Sequence, residues 1–342
     1  MYHSIETMDF YNKNTVVQKL ILGIRNLSIL FFLVLVGLFI WLLTPSDQKV
    51  SDMRMAENPW PIASFIEATN PDIEIRKGFQ LVTTEASRWE FSKGLSSNRL
   101  ACTNCHLNAG TQNGAASFLG VTSRYPKFSG RDGKISTLAD RINGCMERSM
   151  NREPLNKKSF EMTAMLAYMQ WLDQNYTTLE PHQPGLVPIR IPNREVNLQK
   201  GAVLYQQKCA LCHGQQGEGV EIEGQYQYPP LWGKEAYNEG AGMHRILTAA
   251  AFIKANMPYL EAHWKQPKLS DEEAFDVAGY INSQQRPSLE KTKYDYPENF
   301  RKPVSTPYGP WIDPFSAQQH KYGPFPPIIQ FYQKKFDVKK TY

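Results

Sequence analysis

The chain has 342 residues, enough for two modest domains with additions, and 42% are hydrophobic, so packed cores are expected. The formal net charge is +5 and the pI about 8.8. That is too weakly basic for a nucleic-acid binder, so no nucleic-acid partner is expected; it suits a small anion or an acidic protein partner.

The first element is not globular. Leu27 to Leu43, "LSILFFLVLVGLFIWLL", is seventeen residues without a charge. As a helix it spans roughly 25 Å at about 1.5 Å per residue, the lower limit for crossing a bilayer, and "LILGI" upstream extends it past Arg25. A cleaved signal peptide is the competing reading, but "WLLTPSDQ" offers no small-x-small cleavage site and no lipidation cysteine. Lys13, Lys19 and Arg25 precede the span, which favours a cytoplasmic N-terminus over residues 1–26. The expectation is a transmembrane anchor at 27–43 in a bacterial inner membrane. A tether follows at 44–58, and everything after Thr44 is exported to the periplasm.

A first folded region is expected over 59–180. "IRKGFQLVTTEASRW" reads as a helical run ahead of "CTNCH", Cys102 to His106. "KSFEMTAMLAYMQWLDQ" closes the region, with Ser159 as a candidate cap and Met162, Met165 and Met169 at helical spacing, a core pattern. A proline-rich linker at 181–197, with Pro181, Pro184, Pro188 and Pro192, then separates the regions. The second region, 198–287, repeats the plan. "NLQKGAVLYQQKCALCH" places Gly201 and Tyr205 on one helix face and ends in a second motif, Cys209 to His213. "LSDEEAFDVAGYINSQ" closes it, with Ser270 as N-cap, Glu273 at the capping-box position, and Phe275, Val277, Ala278 and Ile281 as an apolar stripe. Strand-like alternation is scarce, so the fold class is all-α: two small domains of one kind. The tail, 288–342, carries too many aromatics for a disordered segment and is expected to wrap in extended form over the domains.

"CTNCH" and "CALCH" both match the c-type haem attachment signature. Two cysteines three apart on one turn reach the two vinyl groups of a haem, and the adjacent histidine faces the iron. Two matches in a duplicated layout make chance a poor explanation, and export agrees, because c-type haem is attached outside the cytoplasm. Two covalently bound haems are therefore expected, through Cys102 and Cys105 with His106, and through Cys209 and Cys212 with His213. Met257, 44 residues after His213 and followed by proline, suits the distal ligand of the second haem; Met243, His244 and His263 are weaker rivals.

The fifth cysteine, Cys145, lies 39 residues after His106, where a distal ligand of the first haem belongs. Two readings stand. Either Met150 ligates and Cys145 is a small buried residue, or Cys145 ligates as thiolate and lowers that haem's potential.

"RDGKISTLADRINGCMERSMNREPL" closely resembles the corresponding segment of the dihaem thiosulfate dehydrogenases, periplasmic c-type cytochromes related to the haem-bearing sulfur-oxidation proteins. "CTNCHLNAG", "LYQQKCALCHGQQGEG", "AAAFIKANMP" and "KYGPF" add to the match, which covers about Ile75 to Phe325 and leaves the anchor outside. The resemblance implies two cytochrome c folds in tandem, with His106 and Cys145 on the first iron and His213 and Met257 on the second. It implies joining of two thiosulfates into tetrathionate with loss of two electrons, or the reverse. The electrons would pass from the first haem to the second and on to a cytochrome c or other electron-transfer partner. It also implies that Arg131, Arg141 and Ser149 line a substrate site beside the first haem. Some relatives have a ligating lysine where this chain has Asn256. The chemistry agrees: thiosulfate is a dianion with a soft sulfur, and guanidinium forks suit sulfonate oxygens. Arg148 reads as part of a solvated face. The rival class is a pure electron carrier, which has no use for an Arg/Cys/Ser cluster at one haem.

Overall fold

The structure, a computed structural model, describes residues 18–37, 61–89, 98–176 and 185–340. It divides into two units, residues 1–59 and 60–342. In the first, one helix, α1 (Gln18–Gly37), runs for 20 residues with a mean hydropathy of 2.3 over its most apolar window. It starts ahead of the expected span and takes in Lys19 and Arg25. At about 1.5 Å per residue it is roughly 30 Å long, long and apolar enough to cross a membrane. Residues 38–43 of the expected span, the tether, and Pro181 and Pro184 lie outside the described residues.

The second unit is helical around two apolar cores. The first core is built from α2 (Pro61–Thr69), α3 (Ile73–Thr83), α4 (Leu138–Arg148) and α5 (Phe160–Asn175). The second is built from α6 (Leu198–Lys208), α7 (Ile246–Asn256) and α8 (Asp271–Ser283). Strand is confined, among the described residues, to two antiparallel hairpins. β1 (Lys127–Ser129) pairs with β2 (Lys134–Ser136), and β3 (Val220–Ile222) with β4 (Gln225–Tyr228); each hairpin follows one of the cysteine motifs.

The closing helices start where their caps dictate. Ser159 accepts from Met162 N at 3.3 Å, and Ser270 accepts from Glu273 N at 3.2 Å while Glu273 answers to Ser270 N at 2.9 Å. Behind these caps Met162, Met165 and Met169 are buried in the first core, and Phe275, Val277, Ala278 and Ile281 in the second.

The duplication extends to how the first and last helices cross. α3 packs on α5 at Gly78, where a Cβ would run into the Ala164 carbonyl and Tyr168; α6 packs on α8 at Gly201, where it would run into the Asp276 carbonyl and Tyr280. Glycine at both crossings lets two backbones approach closely enough to bring the motif after each first helix under the last one.

The linker's described part is not a free spacer. Ile189 and Val196 are buried in the second core, and Arg194 pairs with Asp276 at 2.7 Å and Glu272 at 2.7 Å. The tail docks as expected, with Tyr296, Val304, Phe325, Ile328 and Tyr332 buried in the second core. It is extended only in part: it ends in two helices, α9 (Ala317–Tyr322) and α10 (Pro326–Phe336). The run "GPFPP" accounts for this, since Pro326 and Pro327 sit in the first turn of α10, where proline's missing N–H costs nothing.

Gly201→Ala is expected to lower stability by about 1–3 kcal/mol through overpacking at the crossing. Denaturant titration followed by far-ultraviolet circular dichroism checks this; an unchanged midpoint would mean that α6 and α8 have slack.

Candidate haem-binding and active site

The first motif is a tight turn. Cys102 to Asn104 form one helical turn, and His106 leads into a second at Leu107–Gly110. Asn108 and Ala109 take left-handed φ values of 52°, unusual for residues with a Cβ. Ala109 is fixed there by Thr103 Oγ1, which accepts from its N–H at 3.1 Å, and by Tyr168 Oη, which donates to its carbonyl at 2.8 Å. Gly110, at φ +88°, leaves room for the Phe118 ring where a Cβ would stand. Phe118 in turn braces the His106 ring, with centroids 4.7 Å apart. His106 Nδ1 sits 2.7 Å from the Ala116 carbonyl. That leaves Nε2 as the nitrogen turned toward the Cys145 thiol, its partner across the site.

Cys145 comes from α4. Thr137 caps this helix and Asp140 closes the box, with Thr137 Oγ1 accepting from Asp140 N at 3.2 Å and Thr137 N donating to Asp140 Oδ2 at 2.9 Å. One turn on, Arg141 and Cys145 stand four residues apart on one face, and Arg141 Nη1 reaches Cys145 Sγ at 2.9 Å. Burial alone would raise the thiol, but the Arg141 guanidinium and the His106 ring outweigh it and bring Cys145 down to about 6. The Cys145 sulfur in turn raises Arg141, against a smaller opposing effect of burial. Cys102 and Cys105 go the other way: burial, with Cys145 nearby, pushes both up to about 12. Met150, the rival to Cys145, is packed in the first core.

The second motif repeats the scaffold. His213 Nδ1 lies 2.9 Å from the Pro229 carbonyl, and burial lowers its ring against that bond. Burial also pushes Cys209 up to about 11. Met257 follows the last turn of α7 and packs, partly buried, against the second core. Among its rivals, His244 is held by the Glu239 carbonyl at 2.8 Å and driven by burial down to about 3, and His263 is exposed. Asn256 is 1% exposed and fully engaged: its amide donates to the Gly114 and Phe252 carbonyls at 3.1 and 2.9 Å and accepts from Gln112 at 2.9 Å. It serves the contact between the two halves. The same contact holds a small apolar cluster of Leu107, Ala115 and Phe252, against which Met243 and Met257 pack.

Both sites fit a c-type haem. Each offers two unpaired thiols three residues apart, and a histidine whose Nδ1 is held by a backbone carbonyl, which fixes the ring to present Nε2 to an iron.

Arg131 and Arg141 lie within electrostatic reach of each other, as expected. Arg131, however, is committed: Nη1 donates to Asp295 Oδ2 at 2.9 Å and to the Gly240 carbonyl at 2.8 Å. Burial works against its charge, but Tyr296, Tyr308 and Asp295 hold the guanidinium above its ordinary value. Ser149 caps the end of α4, one turn past Cys145; its N–H donates to the Cys145 carbonyl at 2.7 Å. The expectation for Arg148 was wrong. It is 6% exposed and pairs with Asp295 Oδ1 at 2.6 Å, because the tail brings a carboxylate over it. Sequence reasoning missed four residues of this region: Arg245, Asp295, Tyr296 and Tyr308. Arg245 lies 100 residues from Cys145 with no motif around it, and only the tail's aromatic content hinted at the other three.

Residues 86–175 match the family model described as SoxA/TsdA, cytochrome c domain, and residues 196–281 the one described as cytochrome c oxidase, cbb3-type, subunit III. The molecule is thus a c-type cytochrome with two cytochrome c domains in tandem. A thiosulfate dehydrogenase of Psychrobacter arcticus is 39% identical over 237 residues, covering 68% of this chain and 70% of that one. One from Allochromatium vinosum is 41% identical over 203 residues, covering 58% and 74%. The solved thiosulfate dehydrogenase (TsdBA) of Marichromatium purpuratum superposes with a TM-score of 0.59 at 33% identity over 68% of this chain. This chain spans 53% of that protein's length. The chain belongs to the thiosulfate dehydrogenase family.

Asp295→Asn would leave Arg148 buried without its partner, at a cost of about 3–5 kcal/mol. Thermal unfolding of the variant beside the parent checks it; a loss below about 1 kcal/mol would show the pair to be solvated.

Proposed function

We propose that the chain is an exported oxidoreductase, tethered to the inner membrane by α1, that interconverts two thiosulfates and tetrathionate. The observation that carries this reading is the Cys145 thiol, held between His106 and the Arg141 guanidinium on a cleft face. Arg141 keeps solvent-accessible surface although the surrounding protein desolvates it, as a cleft-lining residue does. The names of the relatives support the substrate.

Two c-type haems would be held by Cys102, Cys105 and His106, with Cys145 as second iron ligand, and by Cys209, Cys212 and His213, with Met257. When bound they supply one-electron chemistry, the first beside the substrate and the second toward an external electron-transfer protein such as a cytochrome c. The reaction consumes no proton: two thiosulfate dianions become one tetrathionate dianion and two electrons. Cys145 would divide it into two steps. In the first, a sulfur–sulfur bond forms between its thiolate and the terminal sulfur of one thiosulfate, and two electrons leave. In the second, another thiosulfate attacks that sulfur, tetrathionate departs and the Cys145 thiolate is restored. Arg141 keeps Cys145 ionised at both ends of the cycle and offers a fork to the sulfonate. The apolar contact of Leu107, Ala115 and Phe252 with Met257 gives electrons a short, dry route between the domains.

Thiosulfate added to the oxidised full-length holoprotein in detergent should reduce its haem bands and release tetrathionate. A chain that responds to neither thiosulfate nor tetrathionate is an electron carrier only. Cys145→Ala with both haems attached should lose turnover by at least roughly 10³-fold, the order seen when a covalent participant is removed; full turnover would rule out the covalent step.

A further inference from the structure

The geometry points to Arg245, from the second domain, as the residue that joins Arg141 in binding the sulfonate of a substrate beside Cys145. The inference rests on the function proposed above and adds to it the second cation of the site.

Three arginines converge in this region, and they differ in what already neutralises them. Arg131 has the Asp295 carboxylate at 2.9 Å. Arg141 has the Cys145 sulfur at 2.9 Å. Arg245 has neither: Nε donates to Thr248 Oγ1 at 3.2 Å and Nη1 to Tyr296 Oη at 3.2 Å, both uncharged. Among the described residues no carboxylate forms an ion pair with Arg141 or Arg245. Arg245 is only partly accessible, and burial lowers its charge affinity, with Arg131 and Arg141 adding repulsion. A desolvated guanidinium facing two others without a counter-ion is costly, and a bound dianion relieves that cost.

Its aim is fixed from two sides. Tyr296 holds Nη1 through its hydroxyl, while the Arg131 guanidinium lies over the same ring at 5.3 Å. Arg131 in turn is tied to the Gly240 carbonyl, in the loop that leads to Arg245. The fork is thus set in advance, with N–H groups left for sulfonate oxygens. Arg141 rides on α4 of the first domain and Arg245 precedes α7 of the second, so the substrate would be gripped across the domain contact.

The test uses the full, haem-loaded chain. Arg245→Gln should raise KM for thiosulfate about 10–100-fold, the range of one charge-assisted hydrogen-bonding group, with kcat changed much less. Calorimetric binding of tetrathionate to the oxidised chain, which has no electrons to give it, should weaken by a similar factor. Arg245→Lys, which keeps a charge but loses the fork, should fall between variant and parent, and it serves as the readout if the glutamine variant does not load haem. KM and tetrathionate affinity both within two-fold of the parent, in a variant with both haems in place, would overturn the inference. A parent that binds tetrathionate through Arg245 yet turns over neither compound would leave the inference standing and overturn the functional reading.

Discussion

A thiol placed between an imidazole and a guanidinium is the constraint around which the larger unit is arranged. Cys145 and Arg141 meet because they are four residues apart on α4, and that helix is started by a box formed by Thr137 and Asp140. His106 faces them because Phe118 and the Ala116 carbonyl fix its ring. Without the guanidinium, burial would keep Cys145 protonated and inert; with it, a buried sulfur carries charge at neutral pH. The four attachment cysteines lack any such neighbour among the described residues, and burial pushes each of them upward.

Two copies of one helical plan have been put to different use. Both cross their first and last helices at a glycine, and both hold the motif histidine by a backbone carbonyl. They part at the position opposite the histidine, where one offers a thiol beside arginines and the other a thioether on an apolar wall. Thiolate lowers a haem's potential and thioether raises it, so the difference alone sets a direction for electrons. The halves are joined by an apolar cluster and by the amide of Asn256, and the tail seals the region through Asp295, which answers two arginines at once.

What the sequence made legible was local. Cys-x-x-Cys-His carries its chemistry within five residues, the caps at Ser159 and Ser270 announce themselves within four, and Cys145 was marked by being the odd cysteine at a distal-ligand distance. What it hid was long-range pairing. Arg148 looked solvated because its carboxylate partner is 147 residues away, and Arg245 looked ordinary because its neighbours come from another domain and the tail. Arg131 was found, but its neutralisation by Asp295 was not, since no local pattern couples them. The tail's aromatics foretold docking; its closing helices were obscured by prolines, which break a helix interior but start one equally well.

The central claim is that the Cys145 sulfur stands opposite His106 at the iron nearest the substrate. Low-temperature electron paramagnetic resonance of the oxidised holoprotein reads iron ligation directly. The account predicts two low-spin ferric species, one of them with the narrow g-spread of thiolate ligation, lost in Cys145→Ala while the other persists. Two species of the histidine–methionine kind, unchanged by that substitution, would contradict it.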